Sequence, residues 1–201
     1  MPPNPARREL IVDTAIDILA DTGCGGVNHR QVDDRARLPP GTTSNYFRTG
    51  LALLEATARR MAELHWRGVA AMQSLAGQQG SRAEVAAILV ALLQNPDADV
   101  RRRNLARYEL FIEGTRRPEL QPILDDIASA AKESAALALR WGGIEATDEQ
   151  IGRLGRMLNG VTFTHLTVSA AAMSGADPVE LIDGILRAVL DQGSTASAKP
   201  G

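Results

Sequence analysis

The chain has 201 residues, 44% of them apolar and only 3% aromatic, with a formal net charge of −2. That length buries a real core in one large or two small domains, and an interior of Ala, Leu, Ile and Val suits helices far better than sheets. The charge excludes a protein that coats nucleic acid generally. With eight Arg against seven acids in residues 1–60, any DNA reading falls to a few placed side chains.

Helix 1 is expected from about Pro5 to Asp21, because Ile11, Ala15, Ile18 and Leu19 repeat on one face and Gly23 suits its end. Asn28 caps a second helix to Ala36, with Gln31 completing a capping box. Arg37-Leu38-Pro39-Pro40 then breaks the chain tightly, and Pro40 opens a short helix to about Arg48 that is rich in Thr42, Thr43, Ser44, Asn45 and Tyr46. Two short helices joined by a tight turn, the second polar outside, have the make-up of a helix-turn-helix DNA reader. A fourth helix starts near Thr49 and reaches about Ala71, with Leu51, Leu54, Ala58, Met61 and then His65 on one face; packing is the role expected of His65.

Beyond the loop Leu75–Gly80, Ser81 and Glu84 form a capping box for a helix through Leu93, which Asn95-Pro96-Asp97 breaks. A helix from about Asp99 to Thr115 carries Leu105, Tyr108, Phe111 and Ile112 on one side. Another starts near Pro118 or Pro122 and ends at Trp141, before Gly142-Gly143. Thr147 with Gln150 caps a helix to about Met173, and Asp177-Pro178-Val179-Glu180 opens a last one to about Asp191. The small polar tail 193–201 is expected to be disordered. No strand pattern competes. The fold class is all-α with about nine helices: a three-helix domain over residues 1–50, then a helical bundle over 51–192 entered through helix 4.

Residues Gly23–Leu54, preceded by Arg7-Arg8-Glu9-Leu10-Ile11-Val12, resemble the N-terminal domain of TetR-family transcriptional regulators. The family's Ala-Gly-Val turn reads Ala36-Arg37-Leu38 here. Its Gly-Thr-x-Tyr-x-His-Phe recognition helix reads Gly41-Thr42-Thr43-Ser44-Asn45-Tyr46-Phe47. There are departures: Arg37 replaces the turn glycine, Pro39 a common capping Ser, Ser44 the common Tyr, and Gly50 a Lys that often binds phosphate. The resemblance implies a dimeric regulator working on double-stranded DNA, most often as a repressor on a near-palindromic operator, with a small molecule acting on the C-terminal bundle. Rival readings are a DNA-binding regulator without a small effector, and a helical protein that does not bind DNA.

On a helix lying in the major groove, the N-terminal and outward residues meet base edges. That selects Pro40, Gly41, Thr42, Thr43 and Asn45, with Phe47 turned inward. Asn45 suits bidentate pairing with adenine, and Arg48 suits a phosphate. Tyr46 and Arg30 match family positions that reach the DNA backbone or bases, and Arg7 and Arg8 stand where a helix start meets phosphates. In the bundle, Tyr108, Glu109, Phe111, Ile112, Phe163 and His165 are the candidates for a ligand pocket, with plain core packing as the competing role. The expected dimer surface combines Gly155 and Leu166 with the Leu181, Ile182, Ile185 and Val189 stripe, and the resemblance implies dimerisation through the last two helices.

An enzyme is not expected. Three His (29, 65 and 165) show no metal-ligand spacing, no phosphate loop or nucleophile elbow appears, and Asp33-Asp34 and Asp125-Asp126 read as solvated charges. No cofactor is expected. No run of about 18 uncharged apolar residues is present, and Met1–Pro5 has no apolar signal core. The single Cys24 excludes an internal disulfide and fits a cytoplasmic protein, with a redox switch as its remote alternative.

Overall fold

A computed structural model describes residues 4–74, 80–93, 97–169 and 177–191. Among the described residues there are nine α-helices: α1 (Pro5–Thr22), α2 (His29–Arg35), α3 (Thr42–Tyr46), α4 (Gly50–Ser74), α5 (Arg82–Leu93), α6 (Ala98–Gly114), α7 (Gln121–Trp141), α8 (Asp148–Thr167) and α9 (Pro178–Leu190). Short 3-10 turns at Cys24–Gly26 and Pro118–Leu120 complete the regular structure, and no strand occurs among the described residues. The all-α fold expected from composition is the one observed. The loop at 75–79, the Asn95-Pro96 break and the tail from 192 lie outside the described residues. So does Met173, the expected end of α8, which closes at Thr167.

Caps fix most helix starts. Asn4 Oδ1 accepts from Arg7 N at 3.3 Å, and Asn28 Oδ1 accepts from Gln31 N at 3.0 Å. The boxes at Ser81 with Glu84 and at Thr147 with Gln150 are reciprocal, satisfying two backbone N–H groups each. Asp177 caps α9 through Val179 N at 2.9 Å.

The chain divides into two compact units, Met1–Arg67 with Pro96–Ser129, and Gly68–Asn95 with Ala130–Gly201. These boundaries do not coincide with the expected division at residue 50, because α6 and the start of α7 pack with the N-terminal helices. In the first unit α1 is buried on two sides. Ile11, Val12, Ala15 and Ile18 meet Val32, Phe47, Leu53 and Ala56. Ile16 and Leu19 meet Leu54, Ala58 and Met61 of α4, Ala106 and Leu110 of α6, and Ile123 and Ile127 of α7. Each Val, Leu, Ile, Met or Phe among them contributes about 1.5–3 kcal/mol when fully buried.

Arg60, buried on α4, ties that helix to α1. Its guanidinium donates to Asp13 Oδ1 at 2.7 Å and to Glu9 on α1, and pairs with Glu63 on its own helix. Asp21, at the end of α1, accepts from Arg35 of α2 and from Arg102 of α6, both at 2.7 Å. The Arg102 and Arg35 guanidinium groups hold the Asp21 carboxyl below its ordinary range. Sequence reading had singled out neither residue. His65, expected to pack on this face of α4, is half-buried, and burial, then the charge of Arg107, pushes its pKa down to about 4.

The second unit centres on Val85, Ala86 and Leu89 of α5, Leu139 of α7, Leu154 of α8 and Ile182, Ile185, Leu186 and Val189 of α9. This corrects the expected dimer surface. Ile182 is 0% exposed, Ile185 6% and Val189 2%, so these three residues fill their own chain's core. Leu181, one residue and about 100° round the helix from Ile182, is 42% exposed.

Candidate DNA-reading site

The candidate reader is α2, a tight turn and α3. Arg37 sits in the turn at φ 54°, the one non-glycine residue with positive φ among the described residues. That is the conformation for which the turn glycine is suited, and it costs an L-residue roughly 1 kcal/mol. Gly41 follows at φ 85° and precedes α3. The left-handed turn there delays the helix, so α3 begins at Thr42 and Pro40 stands outside it. Pro39 O accepts from both Thr42 N, at 3.1 Å, and Thr42 Oγ1, at 2.6 Å.

Neither Pro39 nor Gly41 offers a side-chain cap, and α2 supplies one across the turn. Asp33 Oδ1 accepts from Thr43 N at 2.8 Å and Thr43 Oγ1 at 2.6 Å, and Oδ2 accepts from Gly41 N at 2.8 Å. Two expectations change here. Asp33 is not a solvated charge but 2% exposed, while Asp34 is exposed and pairs loosely with Arg30 at 3.8 Å. Thr43, expected to meet bases, is 0% exposed with its hydroxyl bound to Asp33. The sequence signal was available: a helix opening on Pro and Gly has unsatisfied N–H groups that need an acceptor from elsewhere.

The far end of α3 is held as well. Phe47 is buried as expected, and the Arg8 guanidinium lies 5.1 Å over its ring. His29 Nε2 is 2.7 Å from Phe47 O; a carbonyl only accepts, so that nitrogen carries the proton. Tyr46 Oη accepts from Asn4 N at 3.1 Å, which joins α3 to the start of α1. What remains on the outer side is Pro40, Gly41, Asn45 and Arg48, all exposed, with Thr42 half-buried and Ser44 Oγ donating to Gly41 O. Arg7 and Arg30 are exposed too.

The six residues expected to line a pocket divide between the two units. Tyr108, Glu109, Phe111 and Ile112 lie on α6 in the first unit, and Phe163 and His165 on α8 in the second. Tyr108 is buried, with Phe111 edge-on at 6.2 Å and the Arg107 guanidinium 5.1 Å from its ring centre. Glu109 O accepts from Cys24 Sγ at 3.7 Å, and its carboxylate lies over Gly23. Ile112 and Phe163 are exposed. His165 is exposed as well, because the core that holds Leu154, Leu158 and Val161 ends before the last turn of α8. Burial, then the charges of Glu113 and Glu109, pushes the Cys24 thiol up to about 12. Cys24 therefore stays protonated near neutral pH, which disfavours the redox-switch alternative.

Residues 80–192 match the family model described as "Tetracyclin repressor-like, C-terminal domain". The chain belongs to the TetR family. As a member of that family it is a DNA-binding transcriptional regulator and not an enzyme. A TetR-family member from Streptomyces coelicolor A3 is 27% identical, covering 92% of this chain and 99% of that one at a TM-score of 0.69. The multidrug binding protein EbrR, solved with imidazole, is 26% identical and covers 98% of each chain at 0.68. None of the curated proteins matches. No described helix of this TetR-family chain is long and apolar enough to cross a membrane, and the described residues contain no metal-holding cluster of His, Cys, Asp and Glu.

Proposed function

We propose that the chain is a cytoplasmic dimeric repressor that reads a near-palindromic operator with α3 and leaves it when a small apolar or amphipathic molecule binds the bundle. The observation that carries the reading is the division of α3 into two sides. Thr43, with Phe47 just past the helix end, is buried on one, and Asn45, with Arg48 following it, is exposed on the other. Asn45 pairs with adenine, Arg48 and Arg30 meet phosphates, and Pro40, Gly41 and Thr42 bring backbone close to the groove wall. Tyr46 positions α3 through Asn4 and lies close to the DNA backbone.

The dimer surface falls on the outward faces of α8 and α9. Met157, Phe163 and Leu181 are exposed apolar residues there. Gly155, Gly160 and Gly184 have open space where a side chain would stand, which permits close helix approach. Leu166 is half-buried beside them in sequence. The effector is supported by EbrR, solved with imidazole and with proflavin at 26% and 27% identity. Tyr108 and Phe111 are the walls it would meet on α6.

An operator selected from random duplex DNA, retained by the chain and released by proflavin in a mobility-shift titration, is the expected result. Retention that no member of a drug-like panel changes would leave a regulator without a small-molecule effector.

A further inference from the structure

We propose that Asp33 is the positioning residue of the reader, and that its buried carboxylate sets which DNA sequences α3 accepts. The inference rests on α3 being the reading helix. At five residues, α3 is far below the roughly 12–15 at which a helix holds itself, so its pose comes from what grips its ends. Asn4, Arg8 and His29 grip the C-terminal end at Tyr46 and Phe47. Asp33 grips the N-terminal end through Gly41 N, Thr43 N and Thr43 Oγ1, and its own carbonyl accepts from Leu38 N at 2.8 Å inside the turn. One residue of α2 thus holds the turn and the helix it aims.

The burial of Asp33 gives this grip its selectivity. A carboxylate out of water is tolerated only when its lone pairs are satisfied. Any tilt or slide of α3 that lengthens the bonds to Gly41 and Thr43 leaves the charge unpaired, so other poses are disfavoured. Asn45 is two residues beyond Thr43 and needs a bidentate geometry at a base edge. An error in pose at Thr43 is therefore an error in reading at Asn45.

Asparagine at position 33 keeps the size but replaces one accepting oxygen by a donor, so either Gly41 N or Thr43 N faces a like group. The test uses the full chain and two duplexes, one an operator selected by the wild type from random DNA, the other the same duplex with its half-sites scrambled. Asp33→Asn is expected to lose about tenfold or more of the ratio between their affinities, the scale of a hydrogen bond to a charged group. The Gly41 and Thr43 amide resonances should shift and exchange faster, while amides of α1 stay as protected as in the wild type. Thr43→Val, which removes one donor, should lose part of the ratio, and Thr43→Ser should keep it. Should Asp33→Asn fail to fold, the Val and Ser pair decides. An unchanged ratio in Thr43→Val overturns the inference, as does an Asp33→Asn variant that loses affinity for both duplexes equally. Asn45→Ala separates the two levels. If it keeps full discrimination, α3 is not the reader; if it loses discrimination while Asp33→Asn does not, only the role of Asp33 falls.

Discussion

Arg37 carries strain that its neighbours hold in place, at φ 54° where glycine is at ease. Arg37→Gly should raise stability by at most about 1 kcal/mol, since relief of the left-handed conformation is partly offset by glycine's freedom when unfolded; urea melts measure it. On the outer side of α3, Asn45→Ala should relax preference at one base pair at a cost of about 1–3 kcal/mol. Arg48→Ala should weaken all sequences alike and flatten the salt dependence by about one unit of slope. Equal profiles for the two variants across an operator library would contradict those roles. His65, with its pKa pushed from 6.5 to about 4, binds its proton more readily in the unfolded chain. Stability should therefore be full above about pH 6.5 and fall as pH drops toward 4, by at most about 3 kcal/mol. His65→Leu should flatten that limb. The contribution of Asp21, whose pKa is lowered from 3.8, is lost only at still lower pH.

At the scale of elements, the caps, prolines and glycines made helix positions legible, because each acts on the backbone within a few residues. The faces were harder. Leu181, Ile182, Ile185 and Val189 all belong to a strongly apolar helix, and periodicity does not say which side meets its own chain. Three turn inward and Leu181 does not. A charge at Ile185 falls inside the second unit's core and should melt it, because a buried unpaired charge costs several kcal/mol. Leu181→Glu and Phe163→Glu should leave circular dichroism unchanged, abolish the dimer in sedimentation and weaken full-operator binding steeply. A Leu181→Glu chain that stays dimeric would move the interface elsewhere. The recognition helix was legible by place but not by length, since the left-handed Gly41 that shortens it is a backbone choice, and the Asp33 cap that holds it comes from another helix.

For the whole molecule, the helix-turn-helix could be read because its parts are consecutive in the chain. The aromatic candidates for a pocket lie on α6 and α8, which are far apart in sequence and belong to different units, so no local pattern links them. The net charge of −2 gives little general attraction to DNA, so affinity has to come from two matched readers rather than from a basic surface. The central claim is that two copies of α3 read one operator, and selection of bound sequences from random duplex DNA tests it most directly. The account predicts enrichment of a near-palindrome bound by two chains, with half-site centres about 34–36 Å apart or a multiple of that. A single asymmetric half-site bound by one chain, or no enrichment at all, would contradict it.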